Sequence, residues 1–475
     1  MFTFYSFSFG CRVNEAEKEA LDQKMIEAGF SFSDKNPDIF LINTCAVTHK
    51  AEREARNLIY QIKRKNPKAK IVITGCAATY WQKNKLYQNL PVDLLVDNSN
   101  KEFLVELIKK RFKKNKDEML KQVQHDRHYN YYPEKHDEKT DDFHHSPSES
   151  ENKLVSGHQK ILKQTSKFLS SGRLLIKIQD GCQRFCTYCI VPYLRGTPKS
   201  RKIQEIINEI NNHYYSYYSV IPNSFRDLNS NKRLKQVQHD KLSAITKQAC
   251  PPNRKTKNKI PISEVILTAV NTEAFGLDTG ESFVDLIDQI LKKTSIPRLS
   301  FGSIHPWSIT FQFLNFYQKI STQKRLVNFF HIPIQSGSNT ILQLMKRGYK
   351  TKEILEKLHA LQKINPLSLL ATDVIVGFLG ETEKEFEETY RFLEKSPIAK
   401  LHIFRFSKRK NTASFFMAKT INEPNEEEKK KRAKALADLS SKKYHKFLEK
   451  NVGRLSSALI LNKQENGFFK ALLDN

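Results

Sequence analysis

The first 112 residues alternate short apolar runs with segments of helical periodicity. Apolar runs of about four to eight residues bounded by turn residues are typical of buried strands, and amphipathic segments between them are typical of helices. Strands that alternate with helices predict an α/β domain with a Rossmann-like parallel sheet over residues 1–112. The predicted strands are Phe2–Phe9, Asp38–Asn43 and Ile71–Thr74, and the predicted helices are Glu15–Ala28, Lys50–Lys65 and Lys101–Phe112.

The same alternation returns over residues 169–448. Six βα units predict a partial (β/α) barrel, whose chemistry lies at the carboxyl ends of its strands. The predicted strands are Leu174–Ile178, Glu264–Thr268, Arg298–Gly302, Asn328–Pro333, Ser368–Val376 and Leu401–Phe406. The predicted helices include Ile203–Asn211, Phe283–Lys292, Lys352–Ile364, Glu383–Lys395 and a charged helix over 425–450.

Two polar stretches without periodicity interrupt this pattern. Residues 113–168 are interpreted as a polar linker or insertion, and residues of about 213–260 as an insertion within the barrel domain. Both stretches contain the heptapeptide Leu-Lys-Gln-Val-Gln-His-Asp, at Leu120–Asp126 and at Leu234–Asp240. We interpret the repeat as two related loop insertions, with a nucleic-acid-binding repeat as the alternative.

The net charge of the chain indicates the kind of partner that it binds. The 79 Lys and Arg residues outnumber the 51 Asp and Glu residues, which gives a formal net charge of +28. Such an excess favours a polyanionic partner, most commonly nucleic acid. Basic side chains of the first domain are candidates for phosphate contacts, although a solvated face is the commoner reading of such a run. They are Arg12, Arg53, Arg56, Lys63, Arg64 and Lys65.

No apolar run reaches the roughly 18 residues that a membrane span requires. The aromatic start Met1–Phe9 lacks the basic region and cleavage site of a signal peptide. We therefore expect no membrane partner and a cytoplasmic location. Thiols stay reduced there, so groups of cysteines indicate metal binding or catalysis rather than disulfides.

Three of the seven cysteines follow the predicted strand Leu174–Ile178 with the spacing C-x3-C-x2-C, as Cys182, Cys186 and Cys189. Three thiolates on one short loop can bind three irons of a cubane cluster and leave the fourth iron without a protein ligand. A structural zinc site normally has four ligands, and no fourth Cys or His is near in the sequence. The spacing favours an iron–sulfur site with an open iron, with zinc and unrelated buried thiols as the alternatives.

Cys11, Cys45 and Cys76 are far apart in the sequence, yet each lies just after a predicted strand. The carboxyl ends of parallel strands share one edge of a sheet, so three distant residues can meet there. Free cysteines are also common as small core residues. Three equivalent placements in successive βα units nevertheless favour a second three-cysteine cluster. Cys250 lies in the second polar insertion and is not expected to take part.

Several segments together resemble the radical S-adenosylmethionine methylthiotransferases. The segment from Asp180 to Gly196, with the sequence DGCQRFCTYCIVPYLRG, is similar to the cluster loop of that family. Segments similar to its first domain and its barrel motifs are Gly10–Asn14, Asn43–Thr48, Ile332–Ser338, Met345–Arg347 and Asp373–Phe378. The resemblance covers nearly the whole chain apart from the two insertions.

The branches of this family differ in substrate: isopentenyladenosine in tRNA, threonylcarbamoyladenosine in tRNA, or an aspartate of a ribosomal protein. The segments Cys-Arg-Val-Asn, Cys-Ala-Val-Thr and Gln-Asp-Gly-Cys look most like the threonylcarbamoyladenosine branch. The resemblance thus implies an enzyme that adds a methylthio group to C2 of N6-threonylcarbamoyladenosine at position 37, beside the anticodon. The charge of +28 argues against a basic protein substrate. A non-catalytic, metal-stabilised RNA-binding protein is the alternative of a different class.

The resemblance also implies the cofactors, two [4Fe–4S] clusters and S-adenosylmethionine. The Cys182 set would hold the radical cluster, and the Cys11 set would hold an auxiliary cluster that carries or donates sulfur. Radical chemistry suits a ring carbon that has no acid–base route to functionalisation. The implied partners are tRNA, a flavodoxin- or ferredoxin-like electron donor and a sulfur donor, with the chain acting as a monomer. Candidate contacts for S-adenosylmethionine are Tyr188, Gln335, Ser336 and Asp373, whereas His305 and His331 are expected to be satisfied barrel histidines.

The chain departs from the family pattern at several positions. Leu379 stands where the family has Pro, Ala269 where it has Gly, and Lys410-Asn411-Thr412 where it has Pro-Gly-Thr. An added methyl group at Ala269 could crowd a site that backbone approaches closely. Residues 449–475 resemble only the first third of a small RNA-binding β-barrel, so an incomplete TRAM-like tail with exposed edges is expected.

Overall fold

A computed structural model describes residues 2–112, 171–216, 262–465 and 468–475. Both copies of the heptapeptide, Cys250 and most of the predicted polar stretches lie outside these residues. Among the helices in the described ranges, none has the length and apolar character of a membrane span.

The amino-terminal domain is built on a five-stranded parallel sheet in the order β2-β1-β3-β4-β5. The strands are β1 Thr3–Ser8, β2 Ser31–Phe32, β3 Ile39–Thr44, β4 Lys70–Gly75 and β5 Leu94–Val96. The helices are Arg12–Glu27, His49–Lys65 and Cys76–Lys83, and a 3-10 turn at Lys101–Phe103 leads into the helical residues 104–112. Central strand β3 is buried throughout, because Ile39 and Leu41 pack in one apolar layer and Phe40 and Ile42 in the other.

The second domain forms an arc of parallel strands in two hydrogen-bonded sheets, β7-β6-β8-β9 and β10-β11-β12. A parallel bridge between Leu299 and Leu326 connects the two sheets. The strands are β6 Arg173–Asp180, β7 Lys199–Ser200, β8 Glu264–Ala269, β9 Arg298–Phe301, β10 Phe329–His331, β11 Leu369–Val376 and β12 Lys400–Arg405. Apart from the short antiparallel β7, these are the six predicted strands, and the predicted α/β class with a partial barrel is confirmed.

The longer helices of the second domain pack on the outside of this arc. They are Ile203–Ser216, Phe283–Lys293, Phe311–Ile320, Thr351–Ile364, Glu383–Lys395 and Glu426–Glu449. The short helices are Val191–Arg195, which packs against the first domain, Asn339–Leu344 and Ala413–Met417, with 3-10 turns at Thr272–Ala274 and Pro306–Ser308. The last helix begins with a capping box between Asn425 and Glu428 and contacts β12.

The helix Arg12–Glu27 of the first domain joins the two domains. Its Ala16 packs on Leu175 of β6 and Ile266 of β8. Neighbouring Leu174 and Val265 belong instead to the large apolar core of the second domain. Since successive strand residues project to opposite faces, the first domain covers the strand face that those outer helices leave free.

The tail ends in an antiparallel hairpin of β13 Ala458–Glu465 and β14 Phe468–Leu473. Arg298 Nη2 donates to the Leu473 carbonyl at 2.6 Å, and the Asn328 amide donates to the Asp474 carbonyl at 2.7 Å. The hairpin therefore contacts the amino-terminal side of β9 and β10. Its assignment to a TRAM-like barrel stays a prediction.

The departures from the family pattern fit their surroundings. Asn411 has φ +67, a left-handed conformation that asparagine tolerates better than most residues. Ala269 is absent from the positive-φ residues, so its backbone does not require glycine. Leu379 is fully buried beside Phe378 in an apolar cluster. The extra methyl at Ala269 thus meets no conformational obstacle.

Candidate iron–sulfur sites

The carboxyl edge of the first sheet brings Cys11, Cys45 and Cys76 together. Strands β1, β3 and β4 are parallel neighbours, with Ser8 opposite Asn43 and Thr44 opposite Gly75. Cys45 and Cys76 directly follow β3 and β4, while Cys11 follows β1 by three residues. The parallel topology thus places all three thiols at one edge, as the strand pattern predicted.

Glycines allow the close approach of these loops. Gly10 has φ +89, and a side-chain Cβ there would lie 2.3 Å from Cys45 Sγ. Gly75 has φ +97, and a Cβ there would lie 2.4 Å from the Thr44 carbonyl oxygen. A residue with a side chain would be strained in conformation and would also clash at either position. The Gly-Cys pairs at residues 10–11 and 75–76 therefore serve to pack the three cysteine loops against one another.

The Cys76 sulfur accepts hydrogen bonds from two side chains. Arg195 Nε donates to it at 3.1 Å, and Asn98 Nδ2 lies 3.6 Å away. Burial, followed by the charge of Cys11, raises the pKa of the Cys45 thiol to about 12. Such a thiol keeps its proton until a metal displaces it. The donor set, three thiols with a cationic donor on one of them, fits a cluster of anionic sulfur.

A third Gly-Cys pair, Gly181-Cys182, begins the other cysteine loop, at the end of β6. Gly181 has φ +73, and a Cβ there would lie 2.0 Å from the Thr197 carbonyl oxygen. The Cys182 amide donates to the Gly196 carbonyl at 3.0 Å, and the Cys189 amide donates to the Cys186 carbonyl at 2.9 Å. These bonds fold Cys182, Cys186 and Cys189 into one compact loop at the carboxyl end of a barrel strand.

Arg347 holds the second loop from the barrel side. Its Nη1 lies 3.2 Å from Cys186 Sγ and 3.3 Å from the Tyr188 hydroxyl, and its Nη2 donates to the Pro333 carbonyl at 2.9 Å. Its guanidinium also stacks over Trp307 at 4.5 Å. The Met345–Arg347 segment therefore supports this loop directly, which gives a physical role to a motif that the sequence analysis matched only by resemblance.

The two loops are connected by a buried ionic network around Glu17. Arg195 Nη1 donates to Glu17 and to Asp180 at 2.8 Å each, and Lys101 and Lys177 bind the same Glu17 carboxylate at 2.6 and 2.8 Å. Burial alone would raise the pKa of Glu17, but the charges of Arg195, Lys101 and Lys177 hold it well below its usual value. Burial also opposes ionisation of Asp180, yet Arg195 and Lys177 lower its pKa to about 2. Both carboxylates are therefore charged at neutral pH.

The structure gives each candidate S-adenosylmethionine contact a protein partner. The Tyr188 ring packs edge-on against Phe378 with centroids 6.4 Å apart. Gln335 has φ +76 and bridges to Val374, and the buried Ser336 hydroxyl lies 3.1 Å from Thr389 Oγ1. Asp373 Oδ1 lies 3.0 Å from His331 Nε2. Their contacts with S-adenosylmethionine stay predictions.

His305 and His331 both contact other side chains of the barrel, as expected for satisfied histidines. His331 Nδ1 lies 2.8 Å from Ser303 Oγ. His305 stacks on Trp307, and burial, then the charge of Arg347, lowers its pKa to about 3. A neutral His305 is a packing residue in these surroundings.

Within the described residues, no three Cys, His, Asp or Glu side chains are gathered as ligands of one metal ion. A tetrahedral zinc site gathers its ligands around a single ion, whereas the thiolates of a cubane bind different irons.

The sequence analysis missed the residues that support the sites: Arg195, Glu17, Lys177 and Asn98. Arg195 was in the quoted Pro-Tyr-Leu-Arg-Gly segment, but its contact with Cys76 spans 119 residues. Glu17 lies inside the helix Arg12–Glu27, where nothing in the sequence pattern marks it as buried. The two motif segments lie next to each other in the structure, but no periodicity rule predicts such a contact from the sequence.

Comparisons with known proteins agree with this two-domain arrangement. Residues 3–97 match the family described as "Uncharacterized protein family UPF0004", and residues 267–393 match the radical SAM superfamily. The first match contains Cys11, Cys45 and Cys76. The second implies S-adenosylmethionine and an iron–sulfur cluster, although its matched range begins after the Cys182 loop.

Similar proteins of known name span most of the chain. The "Threonylcarbamoyladenosine tRNA methylthiotransferase MtaB" of Aquifex aeolicus is 29% identical over 96% of this chain and 92% of its own length. The protein of the same name from Bacillus subtilis is 28% identical over 100% and 89%. A "tRNA-2-methylthio-N(6)-dimethylallyladenosine synthase" of Natranaerobius thermophilus is 25% identical over 95% and 85%.

Among solved structures, the cobalamin-dependent S-adenosylmethionine radical enzyme OxsB aligns with a TM-score of 0.46 and 13% identity, over 94% of this chain and 56% of that chain. That likeness is too weak to add to the fold assignment. The chain thus has a UPF0004 domain followed by a radical SAM domain, and the relatives that are similar to nearly its whole length are named as tRNA methylthiotransferases.

Proposed function

We propose that the chain is a tRNA methylthiotransferase that adds a methylthio group to C2 of N6-threonylcarbamoyladenosine at position 37. The proposal rests on one observation: the side chain of Arg195 connects the two sets of three cysteines. Arg195 contacts Cys76 of the first set and Asp180, two residues before Cys182 of the second. Sulfur insertion at an unactivated carbon needs a radical source and a sulfur carrier, and the contact between the two cysteine sets supports the proposal that they supply both.

We propose that each set holds one [4Fe–4S] cluster. The Cys182, Cys186 and Cys189 loop would bind the cluster at which S-adenosylmethionine is cleaved, because it lies at the carboxyl end of a barrel strand. The set of Cys11, Cys45 and Cys76 would bind the auxiliary cluster. When bound, the first group supplies radical chemistry and the second supplies sulfur. The surrounding residues orient the thiols and exclude water, since Cys45, Cys76 and Cys186 are all buried.

The substrate branch rests on the relatives and on the charge. The proteins named for threonylcarbamoyladenosine are more similar to this chain than those named for dimethylallyladenosine. The net charge of +28 suits tRNA and disfavours a basic ribosomal protein. The dimethylallyladenosine relatives keep isopentenyladenosine as the second candidate substrate. The electron donor, the sulfur donor, the monomeric state and the cytoplasmic location stay predictions.

Nucleoside analysis of tRNA tests the proposal. Purified enzyme, reconstituted anaerobically with iron and sulfide, would be incubated with S-adenosylmethionine and reductant. One tRNA substrate would carry threonylcarbamoyladenosine and a matched one isopentenyladenosine. We expect the methylthio product on the first tRNA, and in cells that lack the gene we expect that nucleoside to disappear. Product on the second tRNA alone would move the chain to the other branch, and no product on either would reject the tRNA assignment.

A further inference from the structure

Arg195 occupies a position that the function of the cysteines does not by itself explain. Its side chain is 3% exposed and lies between the first domain and the loop of Cys182. Its Nε donates to Cys76 Sγ at 3.1 Å, and its Nη2 donates to Asn14 Oδ1 at 2.7 Å. We propose that Arg195 is a positioning residue that sets the Cys76 sulfur against the Cys182 loop and tunes the auxiliary cluster.

The geometry uses the whole guanidinium group. An arginine has five N–H donors in a fixed planar arrangement. Here they are directed to Cys76, to Asn14, to Asp180 and to both oxygens of Glu17. A lysine has three donors on one nitrogen and no planar fork, so it cannot make all five of these contacts. The site therefore selects arginine rather than just a positive charge.

The charges of the network are compatible with an anionic cluster beside Cys76. Three cations, Arg195, Lys101 and Lys177, surround two carboxylates, Glu17 and Asp180. Because buried charges are costly unless they are paired, the surplus cation favours a further anionic partner. A cubane held by the three cysteines would supply that partner at the end of the Arg195 side chain.

The inference rests on the two-cluster part of the proposed function and adds a residue to it. Hydrogen bonds donated to cluster sulfur, together with nearby charge, tune reduction potentials. A donor favours the more negatively charged reduced state, so its loss makes the potential more negative. Arg195 also holds Asp180, and it thereby fixes the distance between the auxiliary site and the Cys182 loop.

The chain offers matched control arginines. Arg347 Nη1 lies 3.2 Å from Cys186 Sγ, so Arg347 makes the corresponding contact at the other cluster. Arg409 is also buried and also joins the two domains, donating to Glu52 at 2.7 Å, but it contacts no cysteine. The same conservative change can be made at all three positions.

The experiment measures each cluster separately. Wild type, R195K, R347K and R409K would be reconstituted anaerobically, assayed for iron, and titrated with reductant while electron paramagnetic resonance follows the two clusters. S-adenosylmethionine would be added to identify the cluster with the open iron. We expect R195K to make the potential of the auxiliary cluster more negative and to leave the other cluster as in R409K. We expect R347K to shift the potential of the cluster at the Cys182 loop and to leave the auxiliary cluster as in R409K.

A second variant, which removes a weaker hydrogen-bond donor, keeps the test decisive if R195K does not fold. Asn98 lies 3.6 Å from the same Cys76 sulfur. N98A should shift the auxiliary potential in the same direction as R195K by a smaller amount, and thermal melting of each apoprotein shows whether it is folded. If R195K does not fold, the N98A shift decides the question.

The outcomes separate the two proposals. Wild-type protein with a single cluster would overturn both the two-cluster function and the role of Arg195. Two clusters in wild type, with an auxiliary potential in R195K and N98A equal to that of R409K, would overturn the role of Arg195 alone. A selective shift in R195K supports it.

Discussion

The two cysteine sets have similar surroundings, but one comes from a single loop and the other from distant parts of the sequence. Cys182, Cys186 and Cys189 lie within eight residues on one loop, whereas Cys11, Cys45 and Cys76 come from three strands of a parallel sheet. In both sets a positive-φ glycine precedes the first cysteine of a loop, and one buried arginine lies next to one sulfur. The local set depends on loop geometry, while the distributed set depends on the register of the whole first domain.

This difference predicts how each site fails. A loop can be damaged without loss of the sheet, whereas the distributed site is sensitive to any shift between strands.

Cys186→Ala should abolish cleavage of S-adenosylmethionine. Cys186 is buried and its sulfur lies 3.2 Å from Arg347, so its removal takes a ligand from the radical cluster. We expect formation of 5′-deoxyadenosine to fall by at least about 100-fold, beyond the cost of removing a supporting partner of a metal site. Chromatography of the reaction mixture measures this product. Cleavage at the wild-type rate would show that the Cys182 loop does not hold the reactive cluster.

Cys45→Ala should abolish formation of the methylthio nucleoside and leave cleavage of S-adenosylmethionine almost unchanged. Cys45 is buried at the end of β3 and lies far from the Cys182 loop in sequence. We expect 5′-deoxyadenosine to form at a rate within about threefold of wild type, while the methylthio nucleoside falls to background, because the sulfur carrier is lost. Both products are measured in the same reaction. Loss of both activities would mean that the sets are not functionally separate.

Gly10→Ala should reduce iron at the distributed site. The new Cβ would lie 2.3 Å from Cys45 Sγ, in a conformation of φ +89. Gly29→Ala is a matched control, because Gly29 has φ +86 and no atom within 4 Å of an added Cβ. Both variants should lose about 1–2 kcal/mol of unfolding free energy from backbone strain, but only G10A should lose iron. Equal iron contents in the two variants would contradict the close packing of the cysteine loops.

Asp373→Asn should have the smallest effect, on cofactor affinity. Asp373 lies on β11 and its carboxylate contacts His331. If it also contacts S-adenosylmethionine as predicted, the KM for that cofactor should rise by about tenfold, the lower end of the value of one charge-assisted hydrogen bond. Ser336→Ala is the comparison, because the Ser336 hydroxyl is already bonded to Thr389. An unchanged KM in D373N would limit Asp373 to its pairing with His331.

Strong apolar periodicity made most of the fold predictable. The observed β4, Lys70–Gly75, and β8, Glu264–Ala269, lie within one residue at each end of the predicted strands. The short strands Ser31–Phe32 and Leu94–Val96 were missed, because edge strands of two or three residues depend on tertiary pairing more than on pattern. The strand pattern also predicted that Cys11, Cys45 and Cys76 lie at one edge of the first sheet, whereas their binding of a cluster stays a prediction.

The supporting network could not be predicted in this way. Arg195, Glu17 and Lys177 meet only when a helix of the first domain lies against β6 of the second. Neither periodicity nor spacing reports a contact of this kind between domains. The sequence therefore indicated which cysteines are candidate ligands, while the structure shows which side chains contact them.

Iron analysis of three proteins tests the central claim, that the chain has two independent cluster sites. Wild type and two triple Ala variants, one at Cys11, Cys45 and Cys76 and one at Cys182, Cys186 and Cys189, would be reconstituted anaerobically and assayed for iron and sulfide. Two cubanes predict about eight irons per wild-type chain and about four in each triple variant. About four irons in wild type, all of them lost in one triple variant and kept in the other, would contradict the account.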